Sequence, residues 1–135
     1  MLPGVTAMPA CRVLVADDHS GVNAAIRRLL VANNYEVVGG VEDGALVLDE
    51  AARLQPDVIL LDLYMPNMDG IDVCRELTRL LPRTRVIVTT GGDPVVAPAV
   101  LAAGAFAFVD KWALNTALLP AVRLACDGVA TESLT

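Results

Sequence analysis

Four short apolar runs each lead into a residue that carries chemistry. Val13-Leu14-Val15-Ala16 stops at Asp17-Asp18, the stretch from Asp57 to Leu61 stops at Asp62, Val86-Ile87-Val88-Thr89 stops at Thr90, and Phe106-Ala107-Phe108-Val109 leads to Lys111. Runs of this length bounded by turn residues predict buried strands. A fifth, Tyr35 to Val41, is weakened by Gly39 and Gly40.

Between the strands the apolar period changes to that of a helix. Ser20 is a natural cap for a first helix with Val22, Ala25, Ile26, Leu29 and Leu30 on one face, ended by Asn33-Asn34. A second helix is expected from about Gly44 to Leu54, with Ala45, Leu48, Ala51 and Ala52 inward, stopped by Pro56. Asp69-Gly70 opens a third, carrying Val73, Leu77 and Leu80 and closed by Pro82. Pro98 shortens the fourth or delays its start to about Ala97, because proline lacks an N–H and its ring clashes with the preceding turn. A last helix carries Leu114, Ala117, Leu118, Ala121, Val122 and Ala125. Pro120 kinks it or marks where its regular part begins, and Gly128 ends it. Strands alternating with helices predict a doubly wound α/β domain with right-handed crossovers.

Composition narrows the picture. A chain of 135 residues suits one domain, and 55% hydrophobic residues suffice for a core of small and branched side chains, aromatics being only 4%. No apolar run is long enough to span a bilayer. Residues 1–10 lack the basic start and long apolar centre of a signal peptide and read as a flexible lead-in. A net charge of −6 argues against direct nucleic-acid binding, which needs a basic patch. Cys11, Cys74 and Cys126 are an odd number at no metal-like spacing and read as apolar filler in a reducing cytoplasm.

Open parallel sheets bind ligands outside the carboxyl ends of their strands. Two acids, a third acid, a hydroxyl and an amine at such ends suit magnesium-assisted phosphoryl chemistry. Each alone has a plainer explanation: Asp17-Asp18 as a solvated loop, Pro66-Asn67 and Asp69-Gly70 as turns, Thr90 as a strand residue, Lys111 as a surface lysine. The specific signal is their joint order with the run from Asp62 to Gly70.

Those motifs, with Val13 to Ser20, Val86 to Thr90 and Gly104 to Lys111, resemble the receiver domain of two-component response regulators over residues 11–127. Tyr35 to Gly39 most resembles receivers that precede a helix-turn-helix output domain. The resemblance implies a flavodoxin-like five-stranded parallel sheet in the order 2-1-3-4-5. It implies that Asp62 takes a phosphoryl group from a sensor histidine kinase or a small acyl phosphate. Asp17, Asp18, Asp62 and the Tyr64 carbonyl would serve Mg2+, with Asp17 acting mainly through water. Lys111 and Thr90 would contact the phosphoryl oxygens, and Thr90 with Phe108 would form the switch, altering self-association as a homodimer or partner binding. It further implies a cytoplasmic protein that makes no membrane contact and does no enzymatic work beyond self-phosphotransfer and dephosphorylation.

His19 reads as an exposed loop residue. Trp112 stands where many relatives have a proline in a cis peptide, and Tyr64 and Gly92 occupy positions that tune dephosphorylation. A dehalogenase-type phosphatase would need an aspartate where Tyr64 stands. A flavin binder would need a hydroxyl-rich loop where Asp17-Asp18-His19 stands. A phosphorylation-independent pseudo-receiver, serving as an interaction or dimerisation module, is the remaining alternative. Residues 128–135 read as a tail or the start of a linker.

Overall fold

The computed structural model describes residues 10–134, with side chains described as far as Asp127; the expected lead-in, apart from Ala10, lies outside the described residues. Five strands, β1 (Arg12–Ala16), β2 (Glu36–Val41), β3 (Val58–Asp62), β4 (Arg85–Thr90) and β5 (Ala107–Asp110), alternate with α1 (Ser20–Ala32), α2 (Val47–Leu54), α3 (Gly70–Leu80), α4 (Ala97–Ala102) and α5 (Leu114–Leu134). All pairings are parallel, in the order β2-β1-β3-β4-β5. This is the flavodoxin-like arrangement.

The alternation of side chains along a strand divides the core in two. Leu14, Ile59, Leu61, Val86 and Val88 face Val47 and Ala51 of α2, Cys74 and Leu77 of α3 and Val100 of α4. Val13, Val15, Val58, Leu60 and Ile87 face Ile26 and Leu30 of α1 and Leu118, Val122 and Ala125 of α5. β2, the strand weakened by glycines, slips register against β1 between Val13 and Leu14.

Several local expectations are corrected. His19, not Ser20, occupies the N-cap of α1, and no side chain caps that end. A 3-10 turn at Gly44–Leu46, capped by Asp43, precedes α2 and shifts its phase, so Val47 and Ala51 are buried while Ala45 and Ala52 are exposed. Leu80, at the last turn of α3, is exposed and Cys74 takes the inward position. α4 begins at Ala97 as expected, after a 3-10 turn at Pro94–Val96. α5 accommodates Pro120 and continues past Gly128. Pro120 is exposed, so the Thr116 carbonyl that loses its helical donor lies on the solvent side.

Two of the glycines required by space stand at junctions between the sheet and its helices. A side chain at Gly70 would collide with the carbonyl of Leu63 as the chain turns from β3 into α3. Gly104 has φ +106° and lies against Thr78, joining α4 to β5 where an L side chain would be strained and crowded.

The largest correction concerns the cysteines. Cys11 and Cys126, 115 residues apart, form a disulfide, and only Cys74 is a free thiol, buried in the core. The bond exists because the start of β1 and the far part of α5 pack on the same side of the sheet, bringing their Cα atoms to 5.9 Å.

Candidate phosphoacceptor site

β1 and β4 flank β3, so parallel pairing alone brings the Asp17, Asp62 and Thr90 ends of these strands together. β5 beside β4 brings Lys111 to the same pole. Asp17, Asp62 and Thr90 are buried. Lys111 Nζ reaches past β4 to donate to Asp62 Oδ2 at 2.9 Å. It also forms an ion pair with Asp17 Oδ2 at 2.7 Å. The Tyr64 backbone N–H donates to the other Asp62 oxygen at 3.2 Å.

Burial raises the pKa of Asp62 above its ordinary value, against the opposing pull of the Lys111 hydrogen bond and the Tyr64 N–H; the charge of Asp17 pushes the same way as burial. Burial works against the Lys111 ammonium, but its short contacts with Asp17 and Asp62 together outweigh that cost and hold the amine above its usual range. The lysine therefore stays charged between two carboxylates.

Ligand atoms of Asp17, Asp18, His19 and Asp62 all lie within 4.8 Å of one another. Asp18 Oδ1 is buried without a hydrogen-bond donor, whereas Asp17 Oδ2 has the Lys111 ammonium beside it. Unsatisfied oxygens of this kind are expensive unless a cation or water serves them. The donor set is all-oxygen apart from His19, whose Nδ1 lies 3.3 Å from both Asp17 Oδ1 and Asp18 Oδ1. A cluster dominated by carboxylate oxygens suits Mg2+, which takes one or two carboxylates together with phosphate and water oxygens.

Thr90 Oγ1 accepts the Gly92 N–H at 3.0 Å and is turned into its own loop. Phe108, opposite Val88 in the sheet, is half-buried against the core shared by α2, α3 and α4. All the residues predicted for the site thus stand at or beside one pole.

Two residues were missed as contributors. Asn23, buried on α1, donates to the carbonyls of Asp17 and Val41 at 3.0 and 3.2 Å, fixing the β1–α1 loop that presents both acids. Its signal was a polar residue beside Val22 and three before Ile26, inside the apolar stripe. Trp112 follows Lys111 through a trans peptide, since the described residues contain no cis bond. Its backbone N–H is capped by Asp110 Oδ1 at 2.9 Å, and its indole N–H donates to the Gly91 carbonyl at 3.3 Å.

Residues 13–123 match the family profile described as the response regulator receiver domain. The chain belongs to that family. As a receiver domain it is a phosphoacceptor switch of two-component signalling. It is 38% identical over 120 residues to the transcriptional regulatory protein LiaR of Bacillus subtilis, a match covering 87% of this chain and 56% of LiaR. It is 37% identical over 138 residues to a protein-glutamate methylesterase/protein-glutamine glutaminase of Myxococcus xanthus, covering 93% of this chain but 40% of that protein. Among solved structures, the signal receiver domain of NarL from Mycobacterium tuberculosis superposes with a TM-score of 0.78 at 35% identity, covering 88% of this chain and 98% of that one. The receiver thus spans about half the length of the curated relatives it matches. Neither the family match nor the site favours the pseudo-receiver alternative, the phosphatase or the flavin binder. No helix among the described residues is long and apolar enough to cross a membrane.

Proposed function

We propose that Asp62 is the phosphoacceptor of this receiver domain, and the observation that carries the reading is Lys111 Nζ held between the carboxylates of Asp62 and Asp17. A carboxylate attacks phosphorus only if the negative charge of the incoming group is masked and its geometry is held. Lys111 supplies one fixed positive charge at the place where the phosphoryl oxygens arrive. The Tyr64 N–H orients the Asp62 carboxylate, leaving Oδ2 to exchange its lysine contact for a bond to phosphorus. Asp18, Asp62 and the Tyr64 carbonyl would hold Mg2+ directly, with Asp17 acting through water, and the ion would supply the remaining charge neutralisation. In the transfer, the bond from phosphorus to the donor's leaving atom breaks as the bond from phosphorus to an Asp62 oxygen forms.

Thr90 and Phe108 form the switch. Once the phosphoryl group is present, Thr90 leaves the Gly92 N–H to meet it, and Phe108 moves into the space vacated. The reading is driven by differential contact, since a ligand shifts an equilibrium only by what it gains in one state over the other. The phosphoryl donor is a sensor histidine kinase in the cytoplasm, and the change alters self-association or partner binding. The working unit spans residues 11–127, with residues 128–135 as a tail or the start of a linker; it serves as the regulatory domain of a DNA-binding response regulator, the reading that transcriptional regulators such as LiaR among its relatives support, or as a stand-alone receiver. The domain has no turnover chemistry beyond gaining and losing its own phosphoryl group.

Intact mass after incubation with Mg2+ and a small acyl phosphate tests the assignment. One phosphate adduct in the wild type and none in Asp62→Asn is the expected result. An adduct that persists in Asp62→Asn, or none in the wild type with any donor, overturns it.

A further inference from the structure

We propose that Cys11 and Cys126 are a reversible redox site, opened by a dithiol and closed again by oxidation while the domain stays folded. Its state sets how firmly the outer part of α5 is held. None of the residues at the Asp62 pole takes part.

A disulfide is a permanent staple where the fold depends on it, and here both of its ends are held by other contacts. Cys11 immediately precedes β1, which pairs with β2 on one side and β3 on the other. The Glu36 N–H donates to the Cys11 carbonyl at 3.0 Å, so the backbone at Cys11 already belongs to the ladder. On α5, Leu118, Val122 and Ala125 are fully buried against the sheet. With the bond open, these contacts still hold the two Cα atoms near the 5.9 Å of the closed state, a separation usual for a bridge. Closing it again is an intramolecular step that needs no search by the chain.

Two further features suit exchange. Cys11 and Cys126 are only partly buried, which gives an attacking thiolate access to the bond. Cys74 is fully buried in the other half of the core, so it is not placed to trap a wrong pairing. In the cytoplasm proposed above for this domain, the disulfides that do form are characteristically transient and redox-sensing; that compartment is the one premise shared with the proposed function. The exchange balances with a dithiol as co-reactant. Its first thiolate attacks one protein sulfur, the S–S bond breaks, and the other cysteine leaves as a thiolate that takes up a proton. The second thiolate of the dithiol then displaces the remaining cysteine, which is protonated in turn, and closes a disulfide within the donor. Two electrons pass to the protein and the dithiol is oxidised. Among the described residues, Ala125 is the last buried side chain of α5, and the bond at Cys126 is the outermost tie of that helix to the sheet. Reduction removes this tie and leaves the inner turns packed.

The test traps thiols of the native full chain with iodoacetamide before dithiothreitol, after it, and after re-oxidation with glutathione disulfide, and locates the adducts by peptide mass. No adduct, then one on each of Cys11 and Cys126, then none is the expected sequence, with Cys74 unlabelled throughout. Hydrogen exchange at the amides of Leu124 to Asp127 quickens about tenfold in the reduced state, while that of Leu118 and of β3 stays the same, as expected for a local opening. Labelling of Cys74 together with the pair means that reduction requires unfolding and overturns the proposal. So does a bond that dithiothreitol leaves closed in the native chain, a pair that does not close again, or equal exchange near Cys126 in both states. Because Asp62 takes no part, phosphate labelling of the same samples judges the acceptor assignment separately.

Discussion

Asp62 is a buried carboxylate whose ionised form the fold tolerates at a cost. Its pKa is raised above the unfolded value near 3.8, so the folded state holds the proton more tightly than the unfolded chain does. By linkage, stability falls as pH rises through the interval from the unfolded to the folded pKa, and the whole penalty is present above the folded value. Each unit between the two is worth about 1.4 kcal/mol. Asp62→Asn, which resembles the neutral acid, should therefore be more stable than wild type at neutral pH in a metal chelator. The advantage should shrink as pH drops toward 4, and saturating Mg2+ should narrow it by stabilising the wild type. Urea midpoints across pH decide it; a variant less stable than wild type at pH 7 contradicts the reading. At this scale Asp17, Asp18, Asp62 and Lys111 were legible because each ends an apolar run. Asn23 was not, because its value depends on two carbonyls that only the folded chain brings within reach.

Among the elements, strands were read closely and helix faces less so. A strand's apolar run is its own boundary, and each of the four that carry site residues ends within a residue or two of where the pattern stops. α2 was misphased because three residues of 3-10 turn advance the chain by a different angle than helix does, and the pattern of Ala45 to Ala52 holds no mark of that change. Pro98 was informative because its effect is steric and local. The α4–β5 junction offers a sharper test. Gly104 carries φ +106° against Thr78, so Gly104→Ala should cost about 2 kcal/mol through backbone strain and crowding. Thermal unfolding measures it. A cost within experimental error would mean that the junction relaxes, and paired replacement with Thr78→Ser would then show no recovery.

Across the whole molecule, strand order came from the family resemblance, since the apolar pattern specifies alternation and not which strands adjoin. The disulfide was illegible for a related reason: three cysteines at unremarkable spacing say nothing about two that meet after 115 residues of folding. Closing a loop of that size restricts the unfolded chain, and the chain-entropy description puts the stabilisation at about 5 kcal/mol. Reduction, or Cys126→Ser, should lower the urea midpoint accordingly, whereas Cys74→Ala should leave the dependence on reductant intact. Equal midpoints with and without dithiothreitol would contradict this.

Cys11 precedes β1 and so lies at the pole opposite the one where Asp17 and Asp62 converge, while α5 begins beside Lys111 and meets Cys11 much farther along. The last helix is thus a boom moored by its outer portion, with its root in the signalling pocket. While the mooring is fast, the helix cannot slide along the sheet at position 126 without carrying the start of the first strand with it.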